Sequence, residues 1–360
     1  MRVAIDGSAL ADGSGDRGVG TYLKNVLRGL AARDDVELLV LAPQGATLPD
    51  AVTRVPVRRV SHHRLGPVLH DWLLPREIQR LEADVFHSPA FSPPRRCPVP
   101  YVQTLHDLTP LVFAHPLLTR DAARWRRRAP ALRRADAVIA DSASSAEQGV
   151  RLLGLDAARV HVVHLGVDPV FTPAPGLGPD REAPYVLSVS SWGPHKGFRE
   201  AAQVLDRLVE AGLPHRLRVL GRQDPWMRAH LEEDLATARH RDRIDVVGWV
   251  PDLAAQYHAA DALLVTSRAE GFGLPAAEAI ACGTPVVAFD NTSLPEVVGG
   301  AGVLVPDGDV VAFADAVVDV LTTPGRRAEL VEAALAEAAR FRWSDAVQAH
   351  HDVYASVARS

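Results

Sequence analysis

The chain has only two cysteines, Cys97 and Cys282, in 360 residues. Two thiols make neither a disulfide framework nor a metal site by themselves, so a reducing cytoplasm is the expected compartment. No apolar run approaches the ~20 residues that a membrane span needs. The first residues, Arg2-Val-Ala-Ile5, read as a strand rather than a signal peptide. Excess positive charge is also lacking: 39 Lys and Arg stand against 44 Asp and Glu, which gives no support to a general nucleic-acid binder. No His, Asp, Glu or Cys spacing has the look of a metal site, and no Asp-x-Asp occurs in a loop of the type metal-dependent transferases use, so metal-independent chemistry without a cofactor is expected.

What is present is an alternation of strand and helix signals, which argues for α/β architecture with parallel sheets. The length suits two domains of roughly 150 to 180 residues each. In the first half, strands are expected at Val3–Ile5, Val36–Leu41, Val85–His87, Tyr101–Leu105, Ala137–Ala140 and Val160–His164. Helices are expected over Thr21–Ala32 and Trp72–Leu81, near Asp121–Arg134, and after Ser144, where Glu147 three residues on suggests a capping box. The Pro- and Gly-dense stretch Gly166 to Pro179 marks a linker. The pattern then restarts at strand Tyr185–Ser190. The expected division is an N-terminal domain over 1–170, a C-terminal domain over 171–342, and a last helix over 343–360.

Chemistry concentrates where a strand hands over to a helix. After the apolar strand Ala262–Val265 comes Ala269-Glu270-Gly271-Phe272-Gly273-Leu274-Pro275-Ala276-Ala277-Glu278. Pro275 suits the first turn of a helix that Gly283 and Pro285 stop. Glu270 then lies in the loop and Glu278 one turn into the helix, both at the carboxyl edge of the sheet, where open α/β sheets bind ligands. Amides at a helix start suit phosphate, because their donors are unsatisfied and the dipole is favourable. Carboxylates suit hydroxyls and repel phosphate. A sugar nucleotide, anionic in the middle with polyol ends, satisfies both. For an isolated pair of glutamates, an acidic loop with a capping carboxylate is the plainer alternative.

The stretch Glu270-GFGLPAA-Glu278-AIACGTPVV resembles the Glu-x7-Glu signature of family-four retaining glycosyltransferases. That resemblance extends over nearly the whole chain. It implies a GT-B fold, two Rossmann-like domains facing across a cleft, and transfer of a hexose from a nucleotide-sugar donor with retention at the anomeric carbon. Gly18-Val-Gly20-Thr-Tyr22 resembles the loop that opens the first helix in many members, with amides near the donor diphosphate or the acceptor. Gly13-Ser-Gly-Asp-Arg-Gly18 matches a dinucleotide fingerprint only by letter, since strand two ends at Leu41-Ala-Pro without a carboxylate.

Thr104-Leu-His106-Asp107-Leu-Thr-Pro110 resembles the stretch of mannosyltransferase-like members in which the His contacts the transferred sugar. Asp107 either sets its tautomer or belongs to the acceptor pocket. Mannose from GDP-mannose is therefore the favoured donor. In Ser190-Ser-Trp-Gly-Pro-His195-Lys196-Gly197, Lys196 stands where the family places the Lys of a diphosphate-binding pair, but its Arg is absent, and His195 or Arg222 are the candidate replacements. Gly248-Trp-Val250 resembles the loop whose backbone meets the nucleobase, and Ser293-Leu-Pro-Glu296 another loop near the donor.

The implied catalytic residues are His106, Glu270 and Lys196. The implied donor-binding residues are Gly18, Gly20, His195, Arg222, Val250, Gly271, Phe272, Gly273, Leu274 and Glu278. The implied acceptor is a hydroxyl of a glycan, a lipid-linked group or a small molecule. Seven arginines between Arg120 and Arg134 form either a solvated helix face or a peripheral contact with anionic lipid. A sugar-nucleotide epimerase or phosphorylase on the same fold, and a silent sugar-nucleotide-binding homologue, are the rival readings.

Overall fold

The structure of the chain, a computed structural model, describes residues 1–11, 18–43, 45–50, 52–56, 66–90, 94, 96–173 and 183–358, with the backbone alone over 66–72. The Gly13 to Arg17 part of the fingerprint-like stretch and residues 174–179 of the linker lie outside these.

The chain divides into two compact units. The first comprises Met1–Leu111, Leu118–Gly166 and Arg342–Ser360, and the second Val112–Leu117 with Val167–Phe341. In chain order the elements begin with β1 (Arg2–Asp6), α1 (Gly18–Ala31), β2 (Glu37–Ala42), β3 (Thr53–Pro56), α2 (Gly66–Arg80), β4 (Val85–Ser88) and β5 (Tyr101–Leu105). There follow α3 (Thr109–Val112), α4 (Thr119–Leu132), β6 (Ala137–Ala140), α5 (Ala143–Leu153) and β7 (Val160–Val162). The sheet they form is parallel throughout and has the order β3-β2-β1-β4-β5-β6-β7.

The second unit carries β8 (Tyr185–Val189), α6 (Phe198–Glu210), β9 (Arg216–Leu220), α7 (Pro225–Leu235), β10 (Ile244–Gly248), α8 (Leu253–Ala259) and β11 (Ala262–Val265). It continues with α9 (Leu274–Ala281), β12 (Val286–Asp290), α10 (Leu294–Val298), β13 (Gly302–Pro306), α11 (Val310–Thr322) and α12 (Arg326–Glu337). Its sheet is also parallel, in the order β10-β9-β8-β11-β12-β13. Both orders reverse direction beside the first strand, which is the doubly wound Rossmann topology.

The elements follow from the side-chain pattern. Strands buried on both faces read as continuous apolar runs, as in β11, where Ala262, Leu263, Leu264 and Val265 are all buried. In α6 the buried residues Phe198, Ala201, Ala202, Leu205 and Leu208 recur at helical spacing and face the sheet core. In α4, Trp125 and Ala129 face inward, while Arg120, Arg124, Arg126 and Arg127 are exposed.

Several local expectations change: α2 starts at Gly66 and not Trp72, and β7 ends at Val162 and not His164. The first helix starts at Gly18, not Thr21, so Gly18 and Gly20 belong to its first turn and Gly20 is buried. The cap of α5 is Ser142, whose hydroxyl accepts from the Ser145 amide at 3.0 Å, and not a Ser144–Glu147 box. Strand β3 is an addition: Thr53, Arg54 and Pro56 are exposed, so this edge strand lacks the apolar pattern that announces the others.

The last helix, α13 (Trp343–Ala358), packs on α1 within the first unit. A buried hydrogen-bond relay ties it down, and its directions follow from one carbonyl. His350 Nδ1 faces the Ala346 carbonyl at 2.7 Å and must donate, so its Nε2 accepts from the Tyr22 hydroxyl at 2.7 Å. Tyr22 then accepts from Thr104 (2.8 Å), which accepts from His87 Nε2 (2.7 Å). His87 Nδ1 in turn accepts from Tyr354 at 2.7 Å. The relay starts and ends on α13, and burial keeps both histidines neutral by lowering their pKa, that of His350 to about 4.

Candidate functional site

In the second unit, the topological switch lies between β8 and β11, and the loops leaving these two strands carry the candidate residues. Gly197 ends the β8 loop with φ +67° and caps α6. A Cβ on Gly197 would stand 1.9 Å from the Thr266 carbonyl oxygen of the β11 loop, so only glycine lets the two loops approach this closely. The Arg268 amide also donates to the His195 carbonyl at 2.7 Å.

That approach brings Lys196 Nζ to 2.7 Å from Glu270 Oε1, with both side chains mostly buried. Burial alone would raise the pKa of Glu270. The Lys196 charge and hydrogen bond, with a smaller contribution from His195, reverse this and lower it, so the carboxyl is ionised. A small pocket opens here among Ser188, Ser190, Lys196, Thr266, Glu270 and Pro275. Lys196 and Glu270, assigned from sequence to different parts of a ligand, therefore satisfy each other in this structure.

The Glu270 amide donates to Thr292 Oγ1 at 3.0 Å, and the Thr292 hydroxyl donates to Asn291 Oδ1 at 3.0 Å. Thr292 adopts φ +45°, which is costly for a β-branched residue and persists only where the surroundings enforce it. Nothing in the sequence marks Thr292 except its place beside the Ser293-Leu-Pro-Glu296 loop. Glu296 itself lies in the first turn of α10.

Gly273 holds φ +98° at the start of α9, which turns the loop into the helix ahead of Leu274 and Pro275. The Phe272 ring is buried edge-on to Phe341 at 5.7 Å, and its carbonyl accepts from Ser293 Oγ at 2.9 Å. Phe272 thus anchors the loop, with Gly271 between it and Glu270.

Glu278, on α9, accepts from the Tyr257 hydroxyl at 2.8 Å. Burial raises its pKa to about 7; the Tyr257 bond opposes this and the Asp168 charge adds to it. Tyr257 and Asp168 carry no signal in the sequence pattern. The stretch read as linker lies along α8 over its described part, where His258 Nε2 meets the Thr172 carbonyl at 2.6 Å and Phe171 packs edge-on to Tyr257 at 5.8 Å.

Arg222 is exposed in the loop after β9, and Val250 follows β10, so both lie at the same sheet edge one and two strands beyond β8. The Gly221 amide donates to the Gly248 carbonyl at 2.9 Å, which links these two loops.

In the first unit, His106 leaves the carboxyl end of β5. The register pairs Leu105 with Ala140, so the next residues, His106 and Asp141, emerge side by side. His106 Nδ1 lies 2.6 Å from Asp141 Oδ2, and Nε2 lies 2.7 Å from the Pro89 carbonyl. Burial disfavours the charged ring, but Asp141, the Pro89 carbonyl and Asp107 together raise its pKa above that of an ordinary histidine. Of the two roles open to Asp107, the place beside His106 Nδ1 is taken by Asp141, and Asp107 Oδ1 instead accepts from the Thr109 amide at 3.0 Å. Tyr22, four residues beyond Gly18, presents its ring edge-on to His106 at 4.8 Å.

Comparison with known proteins agrees with this layout. A model of the group 1 glycosyl transferases matches residues 183–323, and one of glycosyltransferase family 4 matches residues 17–171. A D-inositol 3-phosphate glycosyltransferase of Xylanimonas cellulosilytica is 34% identical over 96% of this chain and 94% of its own length. The chain belongs to the family 4 glycosyltransferases. A second relative, D-inositol 3-phosphate glycosyltransferase 2 of Catenulispora acidiphila, is 33% identical over 95% of this chain and 91% of that protein.

Solved glycosyltransferases share the fold. Sucrose-phosphate synthase from Thermosynechococcus elongatus superposes with a TM-score of 0.81 at 20% identity over the full length of both chains. Anabaena HepE in complex with UDP and glucose superposes at 0.76 and 18%, again over both full lengths. This family 4 chain accordingly has the GT-B fold and is a glycosyltransferase.

Proposed function

We propose that this family 4 member moves a hexosyl group from a nucleotide sugar to an acceptor hydroxyl, with retention of configuration and without a metal ion. The observation that carries the reading is the Lys196–Glu270 pair at the switch point of the second sheet. An incoming diphosphate draws Lys196 towards itself, because two phosphate charges outweigh one carboxylate. Glu270 is thereby released to accept from sugar hydroxyls, and Lys196 with the amides at the start of α9 neutralises the departing diphosphate. The acceptor oxygen bonds to the anomeric carbon on the face from which the diphosphate departs, which gives retention, and the departing diphosphate takes the acceptor's proton. Glu278 accepts from the ribose diol through the oxygen that Tyr257 leaves open.

The favoured hexose is mannose from GDP-mannose, supported by the His106-Asp107-Leu-Thr-Pro110-Leu111 stretch. The favoured acceptor class is an inositol phosphate, supported by the names of the relatives. Thermal-shift screening against GDP-, UDP- and dTDP-hexoses, followed by turnover with inositol 3-phosphate, tests both choices. Product anomers are assigned by NMR, with and without EDTA. An inverted product overturns the mechanism, and loss of turnover in EDTA overturns metal independence. An epimerised nucleotide sugar or a sugar phosphate as product establishes the rival reading.

A further inference from the structure

We propose that Asp141 is the positioning residue of His106 and holds it as an imidazolium, so that His106 serves as a cationic hydrogen-bond donor to the transferred sugar and not as a base. The proposal rests on the reading that the chain transfers a sugar which His106 contacts, and it supplies the chemical state in which His106 does so.

Both ring nitrogens face oxygens that only accept: the Asp141 carboxylate at Nδ1 and the Pro89 carbonyl at Nε2. Each nitrogen must therefore carry a hydrogen, because a neutral ring would set a lone pair against one of the two oxygens. Asp141 is 2% exposed. Its second oxygen, Oδ1, is buried with no hydrogen-bond partner among the described residues, so His106 is the group that balances its charge. The pairing is a product of sheet register, since adjacent parallel strands deliver the two residues together. The Ser145 hydroxyl donates to the His106 carbonyl at 3.1 Å and fixes the backbone from which the ring projects.

The remaining groups facing His106 agree with a charged ring. From α1, the Tyr22 ring stands at 4.8 Å and nearly perpendicular to it, and burial pushes its phenol pKa up, so it brings no charge. From α13 and β4, His350 and His87 are held neutral. On its own loop, Asp107 adds a second carboxylate. One cation among two carboxylates leaves the locality negative, which disfavours phosphate and suits an uncharged hydroxyl. A sugar oxygen replaces the Pro89 carbonyl as acceptor of Nε2–H, and no proton changes owner.

The test is a histidine titration by NMR on the full 15N-labelled chain, with His106→Gln identifying the His106 signals. The expected result is a ring protonated on both nitrogens at pH 7.5 in the wild type. In Asp141→Asn it should titrate at least one pH unit lower. A neutral wild-type ring at pH 7.5, or an unchanged titration in Asp141→Asn, overturns the proposal. Should Asp141→Asn fail to fold, the wild-type titration decides the charge, and Asp141→Glu is expected to keep the wild-type midpoint; a midpoint fallen by a unit or more in that variant counts against the pairing.

Turnover supplies the second arm: the alkaline limb of kcat/KM should move at least one unit lower in Asp141→Asn. A limb that stays in place counts against the positioning role. Absence of transfer with every nucleotide sugar overturns the sugar-transfer reading alone, since the titration needs no turnover.

Discussion

Lys196 and Glu270 neutralise each other where solvent is scarce, and a buried ion pair is much harder to break than to replace. Lys196→Met leaves Glu270 charged and unpaired, and should lower stability by ~3 kcal/mol in chemical denaturation. Lys196→Met combined with Glu270→Leu should recover most of that loss and still abolish turnover. Glu270→Gln should lower kcat, whereas Glu278→Gln should mainly raise the donor KM. The Glu278 pKa, raised to about 7, gives donor binding a pH dependence with a definite sign. The folded protein retains that proton well above the ordinary carboxyl range, and a protonated oxygen is a poorer acceptor for a diol. Donor KM should therefore fall as pH rises through about 7, a trend that Glu278→Gln removes. Sequence marks both Lys196 and Glu270 as loop residues at strand ends, but they are 74 positions apart and no local spacing encodes their contact. Asp141 is legible only as the start of a Ser-rich stretch, because its partner His106 lies 35 residues away and on another strand.

Elements were the more readable scale. Buried strands are continuous apolar runs and α6 is a regular stripe, so the pattern alone locates them; β3 has neither mark and needs β2 beside it to be a strand at all. Helix starts depend on single capping residues, such as the Ser142 hydroxyl of α5, which makes them easy to misplace by a residue or two. Ser142→Ala should cost about 1 kcal/mol in a thermal or urea melt, and Ser144→Ala distinctly less. The α13 relay predicts acid sensitivity. His350 has an ordinary value of 6.5 in the unfolded chain and about 4 when folded. Between these pH values the unfolded state takes up a proton that the folded state refuses, so stability declines as pH falls through that window. The decline should reach ~3 kcal/mol at its lower end for His350 alone. His87, shifted in the same direction, adds to it. Melting curves from pH 7.5 to 4.5 check this, and Tyr354→Phe, which leaves His87 Nδ1 without its donor, should lower the whole curve.

At the scale of the whole molecule, the two units were legible as a restart of the strand-helix alternation, and family membership followed from motifs at their sheet edges. Less legible is that short or distant pieces change allegiance: Val112–Leu117 groups with the second unit and Arg342–Ser360 with the first. Deleting residues 343–358 should therefore expose the first unit to limited proteolysis and leave the second intact, as mass spectrometry of the fragments would show. The relay through Ala346, His350 and Tyr354 also bears on how the chain is made. As translation proceeds, Tyr22, His87 and Thr104 emerge early and wait through the synthesis of the entire second unit for their partners. The half that leaves the ribosome first is completed last, and until α13 arrives its unsatisfied hydroxyls and imidazoles are in the keeping of water or chaperones.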